Sequence, residues 1–330
     1  MKKIIFFSAL LFSGTLSIAQ VTIEEAKEYL TFSSGAQNAD KKVLKEPAPQ
    51  VFPYVALKFR TASVEMLGAG KGKDQARAKA YAVVEGLDSA LYQEITNEFA
   101  IIWENKLKEA GISLVEMSKV TASKGYNKFK EEPANRSFNH PTYGTSRVYT
   151  QNNLPFFYPP VAGMKVAKWM QELSAGHGEL RLTIDFVEWA TDAQKYWKNY
   201  GNYQQKGFTF SANVIPGVKI TTVPFSEGTM DMATNPEMYG GLTLSNPKNF
   251  FSTSAALNKP IFVPIESAKV ETFDNKKPEF ISKKWVAFSG AMNLGTFVVT
   301  PNRDEYKKAA LTALTQFADY FVVLAKSYKE

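Results

Sequence analysis

Apolar and polar residues alternate from Tyr54 to Met66, with Val55, Leu57 and Phe59 on one face and Lys58 and Arg60 on the other. This period of two predicts a half-buried strand. A Gly-rich loop, Gly68 to Gly72, follows, and Arg77 to Glu85 carries a helical pattern that Gly86 interrupts. The period then changes. Leu91, Ile95, Phe99, Ile102 and Leu107 recur at near-helical spacing, with Glu94, Glu98, Asn105 and Lys108 facing away. Asp88 is placed to cap this helix through its side-chain oxygen, and Gly111 to stop it. Ile112 to Met117 reads as a returning strand. These segments predict a β-α-β unit, with a right-handed crossover if its strands are parallel neighbours.

The second half is largely β. Val161 to Leu173 predicts a helix ahead of Gly176-His177-Gly178, where His177 is expected on an exposed turn. Strands follow at Glu179 to Trp189, Phe208 to Ile215, Val218 to Phe225, Ile261 to Ile265 and Trp285 to Phe288. Ile215-Pro216-Gly217-Val218 suits a hairpin or tight bend. At the C-terminus Thr300 is an expected N-cap with Pro301 at the first helical position. Asp304 and Glu305 complement the helix dipole there. Tyr306, Ala310, Ala313, Phe317, Phe321 and Leu324 form the apolar stripe that should dock this helix on a sheet.

The expected fold class is therefore α+β. An N-terminal β-α-β unit (51–132) is followed by an irregular Pro-rich connection (133–163). A mainly β region with a C-terminal amphipathic helix packed on the sheet (164–330) completes it, and can form one domain with 51–132. Residues 20–50 contain a short helical pattern, Ile23 to Leu30, and then Ser33-Ser34-Gly35, Pro47 and Pro49. This predicts a linker-like lead-in, with the rigid domain beginning near Val51.

The first nineteen residues carry a different pattern. Lys2 and Lys3 precede an uncharged, mostly apolar run, Ile4 to Leu16, and Ser17-Ile18-Ala19 places small residues before a cut at Ala19/Gln20. That is the layout of an export signal. No later window approaches the ~20 apolar residues of a membrane-spanning helix, so no transmembrane segment is expected after cleavage. The expected location is periplasmic or secreted. The chain has no cysteine, which removes disulfides, thiolate metal sites and cysteine nucleophiles together.

Charge and motifs narrow the chemistry. Removing Lys2 and Lys3 lowers the formal charge from +7 to +5. The densest basic cluster, Lys71, Lys73, Arg77 and Lys79, is interrupted by Asp74 and reads as a solvated helix face, so no nucleic-acid partner is expected. The Gly-rich loop fails as a phosphate loop, because Leu67 stands at the first Gly position and Asp74 at the hydroxyl position. The two histidines, His140 and His177, have no zinc-site spacing. No nucleophile elbow is present. Asp185 and Glu188, three apart on one expected strand, point to opposite faces and make poor catalytic partners. No catalytic residue, metal or cofactor is assigned, and the expectation is a protein that is not an enzyme.

Aromatic residues offer the remaining signal. Trp189, Tyr196, Trp197, Tyr200 and Tyr203 lie within fifteen residues among lysines and amides, and Phe156, Phe157 and Tyr158 sit between prolines. Tyr and Trp mixed with amides can anchor a protein interface or stack on sugars. The candidate interaction surface is Phe156, Phe157, Tyr158, Tyr196, Trp197, Tyr200 and Tyr203, on aromatic loops. Residues Tyr54 to Met117, with a long helix ending Lys108-Glu109-Ala110-Gly111-Ile112 before a strand, resemble the periplasmic β-α-β unit of curli-secretion channel subunits and the N-terminal domain of TolB-like envelope proteins. The resemblance covers about a fifth of the chain, and the chain lacks the lipid-accepting cysteine of the curli family. No pair of membrane hairpins is evident and pore formation is not implied. The expected role is an accessory subunit that binds other proteins of an envelope or secretion assembly. The alternative is a glycan-binding module, and a hydrolase comes after both.

Overall fold

The computed structural model describes residues 21–34, 43–51, 55–69, 76–127, 136–140, 144–154, 163–200, 203–222, 241–245, 252–273 and 292–329. The first half runs α1 (Ile23–Tyr29), β1 (Leu30–Ser34), β2 (Gln50–Val51), β3 (Val55–Arg60), β4 (Ala62–Ala69), β5 (Ala76–Val84), α2 (Ser89–Glu109), α3 (Met117–Ala122), α4 (Lys124–Asn127), β6 (Arg136–His140) and β7 (Gly144–Thr150). The second half runs α5 (Gly163–Leu173), β8 (Gly176–His177), β9 (Glu179–Tyr200), β10 (Tyr203–Thr221), β11 (Gly241–Ser245), β12 (Ser252–Leu257), β13 (Ile261–Pro264), β14 (Lys269–Phe273), β15 (Met292–Thr300) and α6 (Arg303–Ser327). The fold is α+β.

A nine-stranded mixed sheet has the order β1-β12-β11-β9-β3-β7-β6, with β10 beside β9 and β13 beside β10. A four-stranded sheet has the order β14-β15-β5-β4, and β2 pairs with β8. The core lies between one face of the large sheet and the two long helices. Val55, Leu57 and Phe59 from β3, and Leu180, Leu182 and Ile184 from the parallel β9, meet Leu91, Ile95, Phe99, Trp103 and Leu107 of α2. The expected stripe of α6 is buried in the same cluster, so the C-terminal helix packs on the sheet. The two helices lie side by side and are laced by ion pairs: Lys307 to Glu94 (2.6 Å), Lys106 to Asp319 (2.7 Å) and Lys326 to Glu109 (3.0 Å). Among the described residues no helix is long and apolar enough to cross a membrane.

Several elements differ from the sequence expectation for identifiable reasons. Residues 54–66 form two strands, not one, because the chain turns at Thr61 and β4 leaves for the other sheet. Arg77 to Glu85 is not a helix but lies largely in β5, where Ala78, Ala80 and Ala82 alternate inward. Arg77 and Lys79 therefore lie on a strand rather than a helix face, and Lys71 and Lys73 of the expected basic cluster lie outside the described residues. Ile112 to Met117 contracts to a single parallel bridge, Leu114 to Gln50, before α3 begins. The lead-in is not a linker. Leu30 and Phe32 are buried, β1 pairs with β12, and Val43 and Leu44 join the core. Asn302 rather than Thr300 caps α6, accepting from the backbone of Asp304 and Glu305, because Thr300 still belongs to β15. Pro216-Gly217 makes no turn; β10 continues through it with a shift of register between Pro216 and Lys219, the behaviour of a β-bulge. The expected strand Trp285 to Phe288 lies outside the described residues.

Candidate functional site

Strands β9 and β10 are far longer than the strands around them. Last paired with β3 at Ile184, β9 runs on to Tyr200, and β10 returns beside it from Tyr203 in one continuous register. Sixteen residues beyond that last pair correspond to about 50 Å at ~3.3 Å per residue. The two strands form a ribbon that leaves the sheet.

The root of the ribbon is held by buried polar chemistry. Arg60 on β3 pairs with Asp185 on β9 at 3.0 Å, with side chains only 10% and 5% exposed. Ser63 on β4 donates to the same carboxylate oxygen at 3.2 Å, and the Phe186 amide donates to the other at 2.9 Å. The Trp189 indole donates to the Ser63 hydroxyl and meets Phe297 of β15 edge-on. Lys219 pairs with Glu188 at 2.9 Å. Glu65 faces this group, and burial pushes its carboxyl above the ordinary value, while Lys219 opposes and Glu188 and Asp185 add to the shift. Asp185, Glu188 and Glu65 thus converge through tertiary structure, with Asp185 and Glu188 each engaged by a cation. No local pattern announces this cluster, because its members come from β3, β4, β9 and β10.

Above the root, β10 alternates. Phe208, Phe210, Ala212 and Val214 turn inward, and Thr209, Ser211, Asn213 and Ile215 are exposed. Phe210 is buried with Leu67 and Ala78, and Phe208, Ala69, Ala76 and Leu294 pack against that cluster, so the β4/β5 hairpin supports the ribbon. The opposing strand differs. Residues 190–196 of β9 are exposed without a break. Tyr196 lies on the backbone of Gly207, where a Cβ would stand 2.3 Å from the ring, and the ring is 47% exposed. Glycine at that position gives the ring a flat seat, a known way of protecting a strand glycine.

The candidate aromatic residues divide accordingly. Tyr196, Trp197, Tyr200 and Tyr203 fall on paired strands at the end of the ribbon, opposite Gly207, Lys206, Tyr203 and Tyr200 respectively. They are not on a loop, contrary to the expectation. Trp189 is half-buried at the root. Phe156, Phe157 and Tyr158 lie outside the described residues. A sequence signal for the ribbon existed: Gly201-Asn202, a two-residue hairpin connection, stands between the two strand runs.

His177 is not on an exposed turn. It sits half-buried in β8, paired with Val51, with its ring 6.2 Å from that of Trp169. Burial lowers its basicity; nearby Glu179 opposes that shift and Arg181 adds to it. Its backbone exchanges hydrogen bonds with the Ser245 hydroxyl, and buried Gln50 clamps the Ser245 backbone. Among the described residues no three His, Asp or Glu side chains gather as a metal site requires. No family model, curated protein or solved structure matches the chain.

Proposed function

We propose that the protein is a non-enzymatic, exported accessory subunit of an envelope assembly, and that it binds another protein through the projecting ribbon. The observation that carries this reading is the unbroken exposure of residues 190–196 on a strand whose root is rigidly buried. A rigid base with an exposed, partly apolar outer face is a low-entropy way to present a contact surface. On that outer face Ile215 and Tyr196 are 46% and 47% exposed, separated by small polar residues. The charged apron of Lys2 and Lys3 before an apolar run supports export.

Site-specific photocrosslinking in envelope preparations tests the reading. A photoreactive residue at position 215 or 196 should give a discrete adduct with one protein. The same residue at position 101, an exposed isoleucine on α2 that is 65% exposed, should not. Adducts of equal yield from all three positions, or none from the ribbon, would overturn it.

A further inference from the structure

We infer that the hydroxyls of Tyr92 and Tyr306 share one internal water molecule, held between α2, α6 and β3. Both residues are buried, with 2% and 1% of their surface exposed. Neither hydroxyl oxygen touches solvent or finds a hydrogen-bond partner among the described residues. The rings need no hydroxyl for their own packing: Tyr92 stacks on Phe59 of β3 at 4.6 Å, and Tyr306 meets Tyr92 edge-on at 6.3 Å. Phenylalanine would supply those contacts equally well. A hydroxyl buried without a partner carries the full desolvation penalty of the group, and two of them meet here from two different helices.

Helix direction explains why the two hydroxyls share a place. Ion pairs follow the same order along both helices, Asp88 to Arg303, Glu94 to Lys307, Lys106 to Asp319 and Glu109 to Lys326, so α2 and α6 lie parallel. Side chains of a helix lean toward its N-terminus. Both tyrosines therefore lean toward the same end, and the pairs Asp88–Arg303 and Glu94–Lys307 bracket them at one level. The groups acting on the hydroxyls agree. Burial raises both phenols above their ordinary value; Tyr92 and then Asp185 add to the shift at Tyr306, while Tyr149 adds to it at Tyr92. Both phenols thus stay neutral, and the carboxylate of Asp185 is already engaged by Arg60, so the site offers an ion no charge to pair with. Water is neutral and makes two to four hydrogen bonds in such sites. A phenol can donate to it or accept from it, so one water satisfies both hydroxyls. The site is separate from the outer face of the ribbon, and neither reading depends on the other.

Phenylalanine variants and a count of long-lived waters test the inference. Oxygen-17 relaxation dispersion should register one fewer long-lived internal water in the double variant, Tyr92→Phe with Tyr306→Phe, than in the parent protein. In urea titration either single variant should lower the folding equilibrium constant about five-fold, the worth of one ordinary hydrogen bond. The double variant should lose well under the product of the two, because with both hydroxyls gone nothing polar is left there to satisfy. A single variant as stable as the parent, or more stable, is the outcome for a hydroxyl buried with no partner at all, and it would overturn the inference. Strictly multiplicative losses, or an unchanged count of waters, would overturn it too.

Discussion

Asp185 shows how one residue decides the orientation of a large element. Its carboxylate receives Arg60 and Ser63, and the same Ser63 receives the Trp189 indole, so β3, β4 and β9 are tied at one point. Removing one partner of a buried ion pair strands the other charge, at about 3–5 kcal/mol. Asp185→Ala should therefore lower the unfolding free energy by roughly that amount in urea titration; a loss near zero would show that the pair does not hold the root. Glu65 gives the opposite sign. Burial holds its proton to higher pH in the folded chain than the ordinary 4.5 of the unfolded chain, so the folded state binds more protons in that window. Stability assigned to this group rises as pH falls through the folded value, and its ionised form is a cost at neutral pH. Glu65→Gln should stabilise the protein at neutral pH, with the advantage shrinking on acidification. An identical pH profile for both proteins would refute the assignment. Neither role was legible in the sequence: Asp185 and Glu188 were correctly placed on one strand, but their partners are more than thirty residues away or further.

At the scale of elements, the helices were the most legible features. Asp88 accepts from the Leu91 amide as its position predicted, and Gly111 adopts a φ of +70° where the helix stops. Trp103 is the exception. It was absent from the expected stripe, yet it is buried against Phe99, Phe317 and Phe321, with ring centres 6.3, 5.9 and 5.0 Å away. The reason is geometric: α6 widens the apolar face that α2 must present, and Ile102 is left only half-buried. Trp103→Ala should cost about 3–5 kcal/mol, because the surrounding rings cannot close over the void. Guanidinium denaturation would measure it, and a change under about 1 kcal/mol would place the indole outside the joint between α2 and α6. Strands were harder to read. The alanines of β5 satisfy helical and extended patterns equally, and only pairing with β4 and β15 selects the strand.

At the scale of the whole molecule, the body and the ribbon are energetically distinct. The body is closed by α2 and α6 over the large sheet, whereas Phe208 and Phe210 of the ribbon join a separate small cluster with Leu67 and Ala78 of the β4/β5 hairpin. Replacing 197–206 by Asn-Gly, so that Tyr196 and Gly207 flank a two-residue turn, keeps Phe208 and Phe210 in place and should leave the melting temperature of the body unchanged, which scanning calorimetry would check. Sequence alone determined the α+β class, the capped helix after Asp88, the apolar stripe of α6 and the aromatic cluster between Trp189 and Tyr203, because each rests on local spacing and propensity. Tertiary structure decided that the lead-in belongs to the core, that β9 and β10 run as one ribbon, and that charges from four strands converge at its root. Those outcomes depend on pairing between segments remote in the chain, where burial and hydrogen bonding override what any local window records.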